Sequence, residues 1–248
     1  YDNCIFALGG ASWSVTGSDG DWLKIFKEKG LQTRPFEPSN CGLNCAFPED
    51  FLKNHLGKPL KNIRISCQGT TVKGEAVVSS YGLEGNAVYP ISKIVRNALK
   101  QHQQVSVEVD LKPFNTELQL LQKVTPQTLP KNYAYLFKLT KTQMDFAKAH
   151  TDKETYLNAQ MFAKALKKLS VPVQSLRSVE EAISTVGGID SEELSSDFSL
   201  KKIPNIYCVG EMFDWDTVTG GYLLQGCFSS AFAAAKAIAN PTPNRSFN

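Results

Sequence analysis

No two glycines in this 248-residue chain are separated by a single residue, so the G-x-G-x-x-G fingerprint that seats a dinucleotide pyrophosphate is absent from it. G-x-x-x-x-G-K-[ST], H-E-x-x-H and G-x-S-x-G are missing too, which removes a P-loop, a zincin helix and a nucleophile elbow. The three histidines, His55, His102 and His150, share no spacing and stand in unrelated polar contexts, so no His-based triad or zinc site is expected. Six cysteines give no C-x-x-C pair. Cys41-x-x-x-Cys45 lacks a second ligand pair and reads as two loop cysteines, and a reducing cytoplasm is the expected setting. Asp214-Trp215-Asp216 fails as a calcium loop because the glycine is misplaced and Gln225 stands where a bidentate Glu is needed. No metal is expected. The longest apolar stretches, around Cys4–Leu8 and Ala231–Ala235, fall far short of the roughly 20 residues of a membrane helix, so no membrane partner is expected.

The chain does contain enough apolar residues, 42%, to bury a sizeable core, and 21% charged residues argue against bulk disorder. Its charge is uneven. Residues 1–50 hold four bases and seven acids, residues 177–248 five and nine, and residues 51–176 eighteen and eight. Two acidic ends around a basic middle fit one domain built from both ends with a module inserted between them, although solvated lysines alone would give the same pattern. The middle lysines, among them Lys138, Lys141, Lys148, Lys164, Lys167 and Lys168, follow helical spacing, so solvated helix faces and no nucleic-acid partner are expected. The chain starts at Tyr1 almost directly with an apolar run, and the expectation is a piece of a longer protein.

Residues 3–8 read as a short buried strand ended by Gly9-Gly10. A helix from Ser18 or Asp19 sets Trp22, Leu23, Ile25 and Phe26 on one face, with Gly30 as its stop. Pro35, Pro38, Asn40 and Gly42 predict a loop leaving the first domain. Strand patterning then covers 63–65, 71–72, 75–78 and 105–109. Pro90 opens a helix that carries Ile91, Ile94, Val95, Ala98 and Leu99 on one side. Helical spacing dominates 114–170, and Val171-Pro172-Val173 predicts a short strand or edge segment. Ser178-Val179-Glu180-Glu181 has the form of a capping box. Asn205–Val209 is a buried strand, and a helix of small residues runs from about Gly221 to Ala239, where Ala231, Ala233, Ala234 and Ala235 predict close packing on a sheet. A Pro- and Asn-rich tail follows Asn240.

Six of the 17 glycines fall into three pairs: Gly9-Gly10, Gly187-Gly188 and Gly220-Gly221. Each pair serves either as a tight turn or as a place where backbone approaches a ligand with no Cβ in the way, and both readings stay open. The sharpest segment is Cys208-Val209-Gly210-Glu211-Met212-Phe213-Asp214, followed at a distance by Thr219-Gly220-Gly221-Tyr222-Leu223. A strand runs into Gly-Glu, an Asp three residues on can accept from a ligand hydroxyl, and a glycine pair opens a helix. The unpaired N–H groups of that helix favour an electron-rich partner.

G-E-x-x-D-x-x-x-x-T-G-G-Y, with Val186-Gly187-Gly188-Ile189 ahead of it, resembles the C-terminal FAD-binding segment of the BaiN/YhiN-like NAD(P)/FAD-dependent oxidoreductases. Ala7-Leu8-Gly9-Gly10-Ala11-Ser12-Trp13 with Thr16–Gly20 is similar to that family's A-T-G-G-x-S-[YW]…T-G-S-x-G-D segment. Gly74-Glu75 with Tyr81–Gly85 is similar to its G-E…G-L-S-G stretch. The likeness stays in register along essentially the whole chain. Leu8, Leu224, Ile189 and Glu84 depart from the usual Thr, Asn, Val and Ser. The resemblance implies an α/β fold: a partial glutathione-reductase-like FAD-binding domain with an inserted β-rich plus helical domain. Its expected divisions are 1–37 (first part of the FAD-binding domain, its upstream βαβ unit missing), 38–113 (inserted β-rich domain), 114–175 (inserted helical segment) and 176–248 (C-terminal part). The inserted region is expected to cap the flavin and shape the substrate pocket.

It also implies FAD as cofactor, NAD(P)H or oxygen as redox partner and a small organic substrate. Ala7, Gly9 and Gly10 would border the FAD. Gly210, Glu211 and Asp214 would meet its ribityl and pyrophosphate side, and Thr219, Gly220, Gly221, Tyr222 and Leu223 its pyrimidine edge. No catalytic residue emerges. Tyr81 and Tyr222 are candidate proton donors only as phenols near a flavin, with rim or core tyrosines as the other reading. A non-catalytic flavin-binding or truncated scaffold domain is the alternative function.

Overall fold

The computed structural model describes residues 2–101 and 103–240; His102 and the tail after Asn240 lie outside them. In chain order the elements begin β1 (Cys4–Phe6), α1 (Trp22–Glu28), β2 (Thr33–Ser39), β3 (Leu43–Asn44), α2 (Glu49–His55), β4 (Pro59–Cys67), β5 (Thr70–Ser79), β6 (Gly82–Glu84), α3 (Tyr89–Lys100) and β7 (Val105–Asp110). They continue as α4 (Glu117–Leu121), α5 (Tyr133–Leu136), α6 (Lys141–Ala149), α7 (Lys153–Leu157), α8 (Ala159–Ala165), β8 (Leu169–Val173), β9 (Ser175–Leu176), β10 (Ser184–Ile189), β11 (Ile206–Cys208) and α9 (Tyr222–Ala239). The chain divides into two compact units, one holding the residues up to Asn40 and from Ser178 onward, the other Cys41–Arg177.

In the first unit β1 pairs with β11 in parallel, Ile5 opposite Tyr207. β2 pairs with β10 in antiparallel fashion, with a bulge between Val186 and Gly188. Trp22, Phe26, Leu31, Ile189, Leu200, Cys208 and Met212 form its main core, and the Trp22 and Phe26 rings meet edge to face at 5.5 Å. Three sequence expectations change here. The segment through Pro35 and Pro38 is strand β2, because β10 is its only ladder partner among the described residues and an edge strand loses little when a proline removes one N–H. Ile25 faces solvent rather than the core, and β1 is half-buried with Ile5 exposed, since β11 is its one paired neighbour among the described residues.

Helix α9 departs from expectation as well. Ser230 and Ala234 are its buried positions, with Ala234 packing on Tyr207 and Val209, whereas Ala231 and Ala235 are exposed and Ala233 is half-buried. Two strands are too narrow to cover more than one stripe of a helix. Leu224, Phe228 and Phe232 are left exposed at a spacing of four residues.

The second unit is built on a seven-stranded antiparallel sheet in the order β8-β7-β4-β5-β6-β3-β9. Pro172 sits on its edge strand β8. One core draws on strands and helices alike, from Leu43, Ile65, Val78 and Val107 to Ile91, Tyr133, Phe146 and Phe162. The Tyr133 and Phe162 rings stack with centroids 4.6 Å apart. Helices α4 and α6 start on capping boxes, Thr116 with Gln119 and Thr140 with Gln143, each satisfying two otherwise orphaned backbone donors. The Ser178 box expected from sequence does not form. Val179–Glu181 is a 3-10 turn without a side-chain cap, and Glu180 instead accepts from the Ser14 N–H at 3.0 Å and from its hydroxyl at 3.1 Å.

The histidine contexts are not the polar ones expected. His55 and His150 pack against phenylalanines, Phe51 for the former and Phe47 and Phe146 for the latter. His55 also bonds Asp145 at 2.8 Å and Thr142 at 3.2 Å, joining α2 to α6. All six cysteines are free, and no group of residues able to hold a metal occurs among the described residues.

Candidate functional site

The loop from Gly210 to Gly221 follows β11 and leads into α9, and side chains fasten it along its length. Gly210 N–H donates to Ser230 Oγ at 3.0 Å. Glu211 turns inward and accepts on one oxygen from Thr185, from its N–H at 2.7 Å and its hydroxyl at 3.1 Å. Burial pushes the Glu211 carboxyl above its ordinary range, and the two Thr185 bonds oppose that shift. Asp214 accepts from Gly187 N–H at 3.0 Å and pairs with Arg34 Nε at 2.9 Å. Arg34 also reaches Asp190 at 3.1 Å. Ser39 donates to Asp216 at 2.6 Å, and the buried Asn40 amide donates to Thr217 O at 2.7 Å and Ser184 Oγ at 2.8 Å.

Most of these anchors come from β2, the residue after it and β10, with Ser230 supplied by α9. Thr185, Arg34, Ser39, Asn40 and Ser230 were not singled out from the sequence, because a Ser or Thr anchor has no local signature. The paired register of β2 and β10 brings the first four to the loop, and the fold of α9 brings Ser230.

The three glycine pairs separate by physical cause. A Cβ on Gly187 would overlap the Pro35 carbonyl and one on Gly188 the Met212 carbonyl, so this pair lets three backbones pack face to face. A Cβ on Gly10 would overlap Thr185 Oγ1, and one on Gly9 would come within 2.6 Å of Ser18 Oγ. Ser18 in turn donates to Gly10 O at 2.8 Å, and Trp22 Nε1 donates to Gly9 O at 3.2 Å. Close packing inside the protein therefore accounts for these four positions. Gly220 and Gly221 differ. Both have left-handed φ, 106° and 93°, yet a Cβ on Gly221 would meet nothing within 4 Å, and one on Gly220 only the following Tyr222 ring.

The expected site residues thus fall into two groups. Ala7, Gly9 and Gly10 follow β1, the strand that neighbours β11, while Gly210, Glu211 and Asp214 belong to the turn after β11 and carry the bonds that shape it. Thr219, Gly220, Gly221, Tyr222 and Leu223 form the mouth of α9, where Gly220, Gly221 and Tyr222 are exposed and Thr219 and Leu223 half-buried. An 18-residue helix begins there with N–H groups that no earlier turn can accept from. Trp215 lies across Gly226, where any Cβ would overlap its ring, and its buried indole N–H has no hydrogen-bond partner. The candidate phenol Tyr81 belongs to the second unit, where it donates to Glu84 and lies under the Arg177 guanidinium at 4.1 Å.

A parallel strand pair, glycine turns at the strand ends and a helix opened by glycine make the first unit a Rossmann-type α/β arrangement. The family model described as HI0933-like protein Rossmann domain matches residues 1–237, and the chain belongs to that family, the BaiN/YhiN-like group its motifs resemble. It is 22% identical to the 3-dehydro-bile acid delta(4,6)-reductase of Clostridium scindens, over 96% of this chain and 62% of that protein. It is 25% identical to the ribosomal RNA dihydrouridine synthase of Escherichia coli, over 95% of this chain and 60% of the relative. The protein of the same name from Haemophilus influenzae is 24% identical over the same shares. The chain therefore spans about three fifths of the length of these curated relatives. No helix among the described residues is long and apolar enough to cross a membrane.

Proposed function

We propose that this chain carries the flavin-facing part of an FAD-dependent oxidoreductase with a glutathione-reductase-like FAD fold, acting on a small organic substrate with NAD(P)H as the reductant. The observation that carries the reading is the mouth of α9. Of the three glycine pairs, Gly220-Gly221 alone leaves open space where side chains would be, while the loop leading to it is fastened by half-buried carboxylates and the buried Asn40 amide.

The residues present fit the flavin end of the cofactor. Thr219, Gly220, Gly221, Tyr222 and Leu223 would offer backbone N–H groups to the pyrimidine edge. Gly210 and the turn held by Glu211 and Asp214 would border the ribityl side, with Ala7, Gly9 and Gly10 beside them. A bound flavin supplies hydride chemistry that no amino-acid side chain provides. The helix N-terminus stabilises negative charge arising at the edge it faces. Glu211 and Asp214 act as positioning residues, since their oxygens already hold Thr185, Gly187 and Arg34 in place. The curated relatives are named as a reductase and as makers of a dihydro product, which favours reduction of a carbon–carbon double bond over oxidation.

The test is titration of the purified chain with FAD, FMN and riboflavin, read by flavin fluorescence and visible absorption. Because no G-x-G-x-x-G is present to grip the adenylate, FAD and FMN are expected to bind within a few-fold of one another. Gly221→Val, which places a β-branched residue at a φ of 93°, is expected to weaken both about tenfold while leaving the far-ultraviolet dichroism unchanged. A chain that neither quenches nor shifts the spectrum of any of the three flavins would overturn the reading.

A further inference from the structure

Among the described residues two aromatic side chains stand on a left-handed backbone, Trp13 at φ 55° and Phe198 at φ 64°. A bulky residue is strained there, and the surrounding structure has to hold it in place. Packing explains Phe198, whose ring meets Phe213 at 5.5 Å and lies against the core of the first unit. It does not explain Trp13. That side chain is 52% exposed and belongs to none of the ring pairs or apolar clusters of the described residues in this unit.

Hydrogen bonds hold Trp13 instead, and they fix its orientation. The indole N–H donates to Ala182 O at 3.0 Å and the backbone N–H to Glu180 O at 3.2 Å. Thr16 closes on the Trp13 carbonyl with both its N–H and its hydroxyl, each at 2.8 Å. The ring is thus tied at both ends while half of it faces water. Its place adjoins the turn that follows β11. Ala182 lies two residues before β10, and Thr185 of β10 holds Glu211. Gly10, three residues before Trp13, packs on the same pair: a Cβ there would overlap Thr185 Oγ1 and come within 2.9 Å of Glu211 Cδ.

We propose that Trp13 is a stacking platform for a flat, electron-poor heteroaromatic ring, the chemistry that oxidised flavin and oxidised nicotinamide share. The proposal rests on the reading of this unit as a flavin site. An indole face is rich in electrons and attracts rings that lack them. With its N–H already taken by Ala182, Trp13 has only that face to offer a ligand. A ring fixed beforehand loses little freedom when a ligand covers it, which is what preorganisation supplies. The other two tryptophans are occupied inside the protein, since Trp22 is buried and Trp215 lies against Phe213 and Gly226.

The test titrates the full chain with FMN and, separately, with NAD+ and NADP+, read by difference absorption and by tryptophan fluorescence. An indole stacked on an electron-poor ring adds a broad charge-transfer band at long wavelength, and the wild type is expected to show it with at least one of these ligands. Trp13→Asn installs a residue that accepts a left-handed φ. It is expected to abolish the band and weaken that ligand about tenfold. Its urea midpoint without ligand is expected to match the wild type, because relief of strain offsets the lost Ala182 bond. Trp13→Phe also loses that bond but keeps a ring, and is expected to bind within about threefold of the wild type without the band.

A Trp13 that serves only the fold would give the reverse, lower midpoints with unchanged affinity, and that result overturns the proposal. So does a wild type that binds a ligand without the band, or an equal loss of affinity in Trp13→Phe and Trp13→Asn, for then the Ala182 bond and not the ring is at work. The two readings fail separately. FMN bound equally by wild type and Trp13→Asn sinks the platform and leaves the flavin site standing. A band and a Trp13-dependent affinity for NAD+ or NADP+, with no FMN bound, keeps the platform and sinks the flavin site. A chain that binds none of the three overturns both.

Discussion

Glu211 is held by two donors from one residue, Thr185, in surroundings that penalise its charge. Its folded pKa lies above the value in the unfolded chain. The stabilising contribution of the protonated carboxyl is therefore complete below the ordinary carboxylate range and is lost as the pH climbs through the raised folded value. Glu211→Gln keeps an oxygen that accepts both Thr185 bonds and has no charge to bury. The substituted chain is expected to lose less stability than the parent between mildly acidic and neutral pH, measured as urea midpoints across that range. Parallel profiles for the two proteins would show that Glu211 is not the group responsible. Conformation and volume divide differently between a glycine of strand β10 and one at the mouth of α9. Gly188 is fixed both by a left-handed φ of 115° and by the Met212 carbonyl, whereas Gly221 is fixed by φ alone.

Elements whose signal is local were legible in the sequence. The run around Ile206–Cys208 bounded by Gly210, the small-residue helix starting at Tyr222, and the alternating Val105, Val107 and Val109 all appear as elements of the right kind. Strand β2 was hidden by Pro35 and Pro38, which read as a loop until its pairing with β10 is known. The capping boxes were missed for a related reason. The Ser-x-x-Glu form at Ser178, whose glutamate would be Glu181, opens only a 3-10 turn with no side-chain cap, while the working boxes use Thr and Gln at α4 and α6. Thr140→Ala removes the acceptor for Gln143 N–H and is expected to cost about 1 kcal/mol of unfolding free energy. A control at Thr151, whose hydroxyl bonds a carbonyl of the preceding helix rather than capping one, should cost less. Of the candidate site, the glycine mouth of α9 could be read from the sequence. The side chains that fasten its loop could not, since all but Ser230 depend on a strand register set elsewhere.

Each unit has its own apolar core, and the larger is centred on rings that no single sequence window contains: Tyr133, Phe137, Phe146 and Phe162, all fully buried. Removing one leaves a cavity that close-packed neighbours fill only in part. Phe162→Ala is expected to cost about 3–5 kcal/mol and to raise amide hydrogen exchange chiefly in β4, β5 and β7, measured by mass spectrometry. Equal acceleration in β1 and β11 would show that the two cores unfold as one. The chain enters the larger unit at Cys41 and leaves it at Arg177, and the Arg177 N–H bonds Gly42 O at 3.0 Å. On the other side of the two crossings, Ile183 N–H bonds Asn40 O at 3.3 Å. Entry and exit thus lie side by side, as the two strands at the neck of a hairpin do. A segment attached in this way behaves as a cassette. It can be lengthened, trimmed or exchanged with a cut at one neck, without rethreading the pairing of β2 with β10 on which the other unit depends.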